Sequence, residues 1–583
     1  MLHTLTRSLR ENKGPALVTV LLSALEVVFE IVIPLFMSNL IDFGIEGGSM
    51  AAVWKFGAFL LLLAAFQLST GVLAARIAAR ASVGFAANLR EDMYNNVQTF
   101  AFSNIDKFST ASIVTRLTTD TTNVQNAFQM LMRMAIRAPV MLVFSMIVSF
   151  RISHDISMTF LIILPILALA LFFIIRSVFP VFSRVFRTYD ELNNVVQENV
   201  RGIRVVKSFN QERHEIGKFG AISERIYKDF SKGERLITLN APLMQFCIYT
   251  CMIVISWLGA KAIIASGNDP ALGLTTGNLT ALITYTMQIL SSLMMLSMVF
   301  AMLTISLSSA RRIAEVLEER SDIPQPEQPV MTVRDGAVDF DHVSFVYASK
   351  ADKKVLDDID LHIRSGETIG IIGGTGASKS SLVQLIPRLY DVTGGKLTLG
   401  GVDVRDYDLD TLRGAVAMVL QKNELFSGTI AENLRWGNEN ATDEQLRHAC
   451  ELACADGFIS AMPDGYDTHI EQGGTNVSGG QKQRLCIARA LLKKPKVLIL
   501  DDSTSAVDTR TDAQIQQALS TYIPDTTKII IAQRISSVQN ADRIVVLDDG
   551  HIDAVGCHDE LLRTCEIYRE VYESQQKGGE DDA

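Results

Sequence analysis

Six long apolar segments, separated by more polar stretches, dominate the first half of the chain. A helix needs roughly 20 residues to cross a hydrocarbon core about 30 Å thick, and each segment reaches or exceeds that length. So many segments of this length are improbable in a water-soluble core, and the pattern therefore predicts six membrane-spanning helices. They cover residues 15–41, 53–75, 131–150, 156–179, 241–265 and 279–305.

The distribution of basic residues predicts how these helices are oriented. Arg7, Arg10 and Lys13 precede the first span, and the segments 76–137 and 176–235 are rich in Lys and Arg. The short connections 42–53 and 266–277 contain neither residue. Because basic loops stay on the cytoplasmic side, we expect both termini to be cytoplasmic, in a bacterial inner membrane.

The connections between spans two and three and between spans four and five are long and keep a helical pattern. We therefore expect the membrane helices to extend well into the cytosol. They would turn back at short segments near residues 103–110 and 211–220, which could dock on the part of the chain that follows.

The second half of the chain has a different pattern. Three prolines within residues 322–332 predict an extended linker, after which strand-like and helical runs alternate as in an α/β domain. We therefore divide the chain into a membrane domain (1–321), a linker (322–332) and an α/β domain (333–576). The polar, acidic tail at 577–583 is expected to be disordered.

Composition agrees with this division. A mean hydropathy of +0.22 with 48% apolar residues fits a chain that is part membrane and part soluble. The net charge of −10 argues against nucleic acid as a partner, because no basic surplus neutralises phosphates. The seven cysteines do not form a zinc-binding set, and we expect reduced thiols.

Several polar residues lie inside the predicted spans. Glu26 and Glu30 are four residues apart on one face of the first span, and acids at such depth usually face a cavity or a partner. Two interpretations stay open: a substrate pathway that attracts cations, or glutamates paired with polar groups of neighbouring helices. The other polar residues of such a pathway are Gln67, Gln245, Tyr285 and Gln288.

A glycine-rich turn follows the strand-like run 368–372. Its backbone N–H groups can approach an anion, and the helix predicted after it adds the positive end of its dipole. In this pattern Lys379 reaches the β- and γ-phosphates and Ser380 binds Mg²⁺. Ser378 stands where the strict pattern has glycine, so an ordinary strand–helix turn is the alternative. The expected nucleotide contacts are Gly373, Gly374, Thr375, Gly376, Ala377, Ser378, Lys379, Ser380 and Ser381.

Two further stretches favour the nucleotide site. The apolar strand that ends in Asp501 and Asp502 places an acid where such folds orient Mg²⁺. Small residues at 477–480 open a helix whose N–H groups can face a phosphate. Together, and above all in the residues Ser-Gly-Gly-Gln-Lys-Gln-Arg at 478–484, the chain resembles the ATP-binding cassette transporters. The closest pattern is that of exporters with six membrane helices fused to one nucleotide-binding domain.

The resemblance implies the fold. We expect an all-α membrane domain of six helices with long cytosolic extensions, followed by an α/β P-loop ATP-binding cassette domain. It also implies that ATP and Mg²⁺ bind between the phosphate loop of one domain and the signature of another, so that the chain dimerises. The signature residues are Ser478, Gly479, Gly480 and Gln481.

The resemblance also implies roles for single residues. Tyr347 matches the aromatic residue that stacks on adenine, and Gln421 matches the glutamine that senses Mg²⁺ and the membrane domain. Glu471 matches a loop that contacts an intracellular segment of the membrane domain, and Asp508 ends the loop 505–508 that lies between two cassettes. The implied Mg²⁺ ligands are Ser380, Gln421 and Asp501.

Two departures from the family pattern concern catalysis. Asp502 stands in place of the catalytic glutamate, which withdraws the carboxylate by roughly an ångström, a misplacement that can cost about 100-fold in rate. Gln533 stands in place of the switch histidine and cannot carry a positive charge. Together with Ser378, these residues predict weak hydrolysis at the chain's own site.

The phosphate-loop side of the site carries these three substitutions, whereas the signature is intact. This combination predicts that the chain is the catalytically degenerate subunit of a heterodimeric multidrug-type exporter. Its partner would be a second half-transporter that carries the catalytic glutamate, and its substrates would be amphipathic drugs or lipids. Two alternatives stay open: a homodimeric lipid or drug exporter with slow ATPase activity, and an ATP-gated regulatory subunit.

Overall fold

The computed structural model describes residues 1–270, 273–347, 354–503 and 507–580. The chain folds into two compact units. The first unit comprises Met1–Gln98 and Thr110–Glu319, and the second comprises Thr99–Ser109 and Arg320–Ala583. The segment Thr99–Ser109 therefore belongs to the second unit, although it lies within the predicted membrane domain in sequence.

The first unit is entirely helical in its described part. It has six helical stretches long and apolar enough to cross a membrane, and they contain the six predicted spans. Its helices are α1 (Leu2–Arg7), α2 (Lys13–Asn39), α3 (Met50–Gln98), α5 (Thr110–Thr115), α6 (Thr121–Ile152), α7 (His154–Arg201), α8 (Ile203–Ser208), α9 (Glu212–Thr238), α10 (Asn240–Ser266) and α11 (Thr276–Glu318), while α4 (Phe102–Phe108) belongs to the second unit.

The lengths of these helices confirm the predicted extensions beyond the membrane. Helices α3 and α7 have 49 and 48 residues, more than twice the length that a bilayer requires. The second turn, predicted at 211–220, is misplaced: α7 ends before Gly202, α8 spans the turn, and α9 begins at Glu212. Most of the predicted segment, including the exposed Gly217 and Gly220, lies inside α9.

Small and charged side chains hold the long helices together. Ala78 and Ala81 of α3 are fully buried and pack near Met132 of α6, and such small residues let helices approach closely. Just before α6, the buried Asp120 accepts a hydrogen bond from Arg312 of α11, with 2.7 Å between Nε and Oδ2. Helix α11 packs along α6, and α2 packs along α3.

The second unit is built on β-sheets. Its strands are β1 (Val338–Phe345), β2 (Leu356–Ile363), β3 (Thr368–Gly373), β4 (Gly394–Leu399), β5 (Val402–Asp403), β6 (Val416–Val419), β7 (Gly428–Thr429), β8 (His469–Ile470), β9 (Val497–Asp501), β10 (Thr527–Ile531), β11 (Arg543–Asp548) and β12 (His551–Gly556).

The main sheet has six strands in the order β12–β11–β3–β10–β9–β6. All neighbours in it are parallel except the pair β11–β12. Every residue of β9 and β10 is buried, as expected for parallel strands covered on both faces. A four-stranded antiparallel sheet, β2–β1–β4–β5, and the pair β7–β8 complete the unit.

Short helices connect and cover these strands. They are α12 (Lys379–Gln384), α13 (Leu409–Ala415), α14 (Ile430–Arg435), α15 (Asp443–Leu452), α16 (Asp456–Ser460), α17 (Gly479–Leu492), α18 (Thr509–Tyr522), α19 (His558–Thr564) and α20 (Glu566–Glu580). Helix α20 continues into the tail that we expect to be disordered, and residues 581–583 lie outside the described part of the chain. All seven cysteines are free thiols.

Candidate nucleotide site

Four candidate residues follow neighbouring parallel strands of the main sheet. Gly373 ends β3 and Asp501 ends β9, while Gln421 and Gln533 come two residues after β6 and β10. Because the carboxyl ends of parallel strands lie at one edge of a sheet, ligands of such folds bind there. Residues far apart in the sequence thus meet at one edge.

The glycine-rich turn between β3 and α12 has the geometry of a phosphate-binding loop. Gly376 has a φ of +90°, a backbone conformation that glycine adopts readily and other residues rarely adopt. The ammonium group of Lys379 folds back over the turn and donates hydrogen bonds to the carbonyl oxygens of Gly373 and Gly374, both at 2.8 Å. Burial lowers the pKa of Lys379, and the carboxylates of Asp501 and Asp502 oppose that shift. The lysine is therefore placed where a polyphosphate would be held.

Ser378 adopts a left-handed conformation, with a φ of +68° and a ψ of +21°. The residue before the lysine thus has the positive φ that explains why the strict pattern places glycine there. A serine at this position costs about 1 kcal/mol relative to a right-handed one. The first departure from the family pattern is therefore a strained position.

We expect Ser378→Gly to raise the thermal unfolding midpoint of the second unit by about 2–4 °C, because it relieves this strain. The measurement is thermal unfolding of the purified full chain in detergent. Ser520→Gly, the same change within α18 where φ is helical, is the matched control and should lower the midpoint. A destabilised Ser378→Gly variant would contradict the assignment of strain.

The residues expected to bind Mg²⁺ fit that ion. The hydroxyl of Ser380 donates a hydrogen bond to Oδ1 of Asp501 at 3.0 Å, so a hydroxyl and a carboxylate oxygen lie side by side. Both are hard oxygen ligands of the kind that Mg²⁺ prefers. Burial, together with the neighbouring Asp502 carboxylate, raises the pKa of Asp501, which is only 3% exposed. A bound cation would reverse that shift.

Asp502 is held by two glutamines. Its Oδ2 accepts hydrogen bonds from Nε2 of Gln533 at 2.8 Å and from Nε2 of Gln421 at 3.3 Å. Burial raises the pKa of Asp502, which is 9% exposed, and the two amide hydrogen bonds oppose that shift. The arrangement joins both substituted catalytic positions, and it leaves Oε1 of Gln421 as the atom that could reach Mg²⁺.

The signature forms a regular helix start. Ser478 caps α17 by accepting a hydrogen bond from the backbone N–H of Gln481, whose side chain in turn accepts one from the N–H of Ser478. Gly479 and Gly480 form the first turn, so no side chain covers its N–H groups. This is the geometry expected of an intact phosphate-facing helix terminus.

The remaining candidates of the second unit lie in local contacts. Glu471 accepts a hydrogen bond from Thr475, and Asp508 caps α18 through Thr511, whose backbone N–H lowers the pKa of Asp508. Ser505 and Ala506 of the expected inter-cassette loop lie outside the described residues. The hydroxyl of Tyr347 lies 2.7 Å from that of Ser381, a contact that joins the expected adenine-stacking residue to the phosphate loop.

The acidic residues of the first unit are paired. Arg137 of α6 bridges both glutamates of α2, with Nη1 at 2.8 Å from Oε1 of Glu26 and Nη2 at 2.7 Å from Oε2 of Glu30. Sequence reasoning missed this role, because it treated Arg137 only as a marker of orientation. The pairing favours the structural interpretation of the two glutamates.

The other polar residues of the spans fall into two groups, and those of the first group form hydrogen bonds between helices. Gln288 donates to the backbone oxygen of Glu30 and accepts from Ser145, and Tyr285 donates to the backbone oxygen of Ile31 at 2.6 Å. These two extend the polar contacts between α2, α6 and α11. Gln67 is half-buried on α3 and Gln245 is exposed on α10.

Comparisons with known proteins agree with this architecture. Residues 16–294 match the family model of the ABC transporter transmembrane region, and residues 356–505 match that of the ABC transporter. The chain is 35% identical over 558 residues to the uncharacterized ABC transporter ATP-binding protein YfiB of Bacillus subtilis, covering 96% of both chains. It is 33% identical over 580 residues to Rv1273c of Mycobacterium tuberculosis, an uncharacterized ABC transporter ATP-binding protein, covering 99% of this chain and 98% of the relative.

A solved structure shares the fold. It is that of a bacterial Atm1-family ABC exporter with ATP bound, which superimposes with a TM-score of 0.80 at 24% identity and covers 97% of this chain and 98% of that one. The described helices and sheets therefore form an exporter-type fold with a membrane region and a cassette in one polypeptide. From these matches and from the two units, the chain belongs to the ABC transporter family, as a multi-pass membrane protein that couples an ATP-binding domain to transport.

Proposed function

We propose that this chain is the catalytically degenerate subunit of a heterodimeric exporter of amphipathic small molecules, drugs or lipids. The observation that carries the proposal is the arrangement around Asp502, where one carboxylate oxygen accepts hydrogen bonds from both Gln533 and Gln421. The residue that would polarise the attacking water is shortened, and the neighbouring side chain cannot act as a proton relay. The left-handed Ser378 adds strain to the same site.

In this proposal the chain's own site binds ATP but hydrolyses it only slowly. Lys379 and the backbone of 373–381 hold the β- and γ-phosphates, and Tyr347 stacks on the adenine. Ser380, Asp501 and Gln421 would hold Mg²⁺, which would supply charge neutralisation for the phosphates. Asp502 is left too short to place a water molecule for in-line attack.

The partner supplies the competent site. Ser478–Gln481 of this chain would face the nucleotide held by the partner's phosphate loop, where the partner contributes the catalytic glutamate. Binding of two ATP molecules closes the cassettes and opens the membrane cavity outward, and hydrolysis at the partner's site resets it. The termini and the cassette lie on the cytoplasmic side, as the basic loops indicate.

We expect the chain reconstituted alone to hydrolyse ATP at least tenfold more slowly than the complex purified from its own membrane, which should contain a second chain of this family with glutamate at the catalytic position. Steady-state ATPase activity in proteoliposomes and identification of the co-purified chain are the measurements. Turnover by the chain alone at about ten per second or more, a typical enzyme rate, would refute the degenerate-site proposal. Purification without a second chain would favour a homodimer.

A further inference from the structure

A glutamine of the last helix, α20, binds the loop that carries Gln533. Nε2 of Gln575 donates a hydrogen bond to the backbone oxygen of Gln533 at 2.8 Å, and Oε1 of Gln575 accepts one from the backbone N–H of Ile535 at 2.9 Å. A single side-chain amide thus binds two backbone groups of one loop. A carboxamide can do so because it carries a donor and an acceptor side by side.

The bound loop lies directly after β10, where the main sheet ceases to order the backbone. The N–H of Ala532 still donates to the backbone oxygen of Ile371 in β3, at 3.3 Å, and a single helical turn follows at Ile535–Ser537. Gln533 and Arg534 lie between these two points. The amide of Gln575 therefore fixes the stretch of backbone from which the side chain of Gln533 extends.

The far end of the loop has an attachment of its own. The hydroxyl of Ser537 donates a hydrogen bond to Oδ2 of Asp512 in α18 at 2.6 Å, and Asp512 is buried. This contact holds the helical turn, whereas the amide of Gln575 bonds to Gln533 itself. The two contacts therefore act on different parts of the loop.

Helix α20 is anchored on the face that presents Gln575. Tyr568, Tyr572 and Gln575 follow one another at helical spacing, so they lie on one face of the helix. Tyr568 is fully buried, and its hydroxyl lies 2.8 Å from Nδ1 of His558. The ring of His558 also meets that of Tyr572 edge-on, with 5.3 Å between centroids. These contacts fix the helix and hold Gln575 against the loop.

The contacts of this loop lead to the carboxylate of Asp502. Nε2 of Gln533 donates a hydrogen bond to Oδ2 of Asp502 at 2.8 Å. A loop backbone that shifts by about an ångström would take this pair out of hydrogen-bond distance, and a misplacement of that size can cost about 100-fold in rate. Gln575 therefore acts on Asp502 through Gln533.

We propose that Gln575 is a positioning residue of this chain's own ATP site, whose amide fixes the loop backbone so that Gln533 keeps its hydrogen bond to Asp502. The inference rests on the proposed function, since it takes Asp502 and Gln533 as the residues beside the γ-phosphate. ATP is held by the phosphate loop at 373–381, which is a separate part of the site. Gln575 therefore affects the rate of cleavage and not the affinity for ATP.

The test compares Gln575→Met with Gln576→Met in the full chain purified alone. Methionine keeps nearly the length and shape of glutamine but removes the amide donor and acceptor. Gln576 is the next residue of α20, and its amide donates to the hydroxyl of Tyr572 at 2.6 Å, so its replacement is the matched control. Single-turnover cleavage of radiolabelled ATP, with the chain in excess, gives the rate constant of cleavage and the half-saturating concentration.

We expect Gln575→Met to lower the rate constant about tenfold, part of the loss that such a misplacement can cause, at an unchanged half-saturating concentration. Gln576→Met should equal the wild type in both quantities. Gln533→Ala should lower the rate constant by itself, and adding Gln575→Met to it should cause no further fall, because no side chain is then left to position.

Hydrogen exchange gives a readout that does not depend on activity. The N–H of Ile535 bonds to Gln575, so its exchange should be faster in Gln575→Met than in the wild type and unchanged in Gln576→Met.

The inference is overturned by an unchanged rate constant in Gln575→Met, by an equal fall in Gln576→Met, or by a full further fall when Gln575→Met is added to Gln533→Ala. The absence of any cleavage by the wild-type chain would overturn it as well, since Gln575 would have no reaction to support. Fast cleavage by the wild-type chain alone would refute the degenerate-site proposal instead, and the ratios between the variants would still decide the role of Gln575.

Discussion

Replacing Arg137 by glutamine is expected to destabilise the first unit by about 3–5 kcal/mol, because it leaves Glu26 and Glu30 unpaired in a membrane-spanning segment. Both carboxylates now lie within 2.8 Å of the guanidinium group. Breaking a buried ion pair from one side costs more than removing the pair, since the remaining charges keep their desolvation penalty. The temperature at which half of the detergent-purified protein stays monodisperse is the measurement.

Two control variants make this prediction specific. Arg151→Gln changes an exposed arginine at the end of the same helix and should leave the midpoint unchanged. The triple variant Arg137→Gln, Glu26→Gln, Glu30→Gln should recover most of the loss, because it removes the three charges together. A stable Arg137→Gln variant that loses transport of cationic dyes would instead support the substrate-pathway interpretation of the glutamates.

The second large effect concerns catalysis. The pair of changes Asp502→Glu and Gln533→His should raise ATP hydrolysis by the chain reconstituted alone about 100-fold, whereas Asp502→Glu alone should change it by a few-fold at most. The added methylene moves the carboxylate about an ångström further out. Gln533, which donates a hydrogen bond to the Asp502 carboxylate, remains a glutamine in the single variant and supplies no proton relay. Histidine can instead act near neutral pH as a proton relay.

The variant Asp502→Asn with Gln533→His separates these contributions. It introduces the same histidine without a carboxylate, so hydrolysis should stay near the wild-type level in the same proteoliposome assay. An equal gain in this variant would show that the shortened carboxylate is not what limits the rate. Full activity from Asp502→Glu alone would show the same for Gln533.

The membrane fold was readable from the sequence because length alone decides which segments can span a bilayer. All six predicted spans lie within long helices. The turn at Gly202 was misplaced, since a helix tolerates exposed glycines at 217 and 220 and local composition cannot distinguish these cases. The sequence also could not show that Thr99–Ser109 belongs to the second unit. That assignment depends on contacts with residues distant in sequence, such as Tyr390.

The sequence could predict which residues form the candidate site, but not how they are arranged. The motifs identified Lys379, Ser380, Asp501 and Asp502 because each carries a chemical group at a fixed place in the pattern. The sequence could not show that Ser378 has a positive φ, since a serine can occupy a right-handed backbone conformation or, at some cost, a left-handed one. Nor could it show that Gln533 and Gln421 share one oxygen of Asp502, which requires three separate strand ends to meet.

The inclusion of Thr99–Ser109 in the second unit bears on how such transporters can be recombined. A chimaera that joins this membrane region to a foreign cassette at residue 320 would separate Asp106 from Tyr390 and Asn104 from Arg320. Fusion at the linker therefore cuts through a folded unit even though it cuts between two sequence domains. A viable exchange of cassettes needs three crossover points, one at the linker and two that flank residues 99–109, so that this segment is exchanged together with the cassette on which it docks.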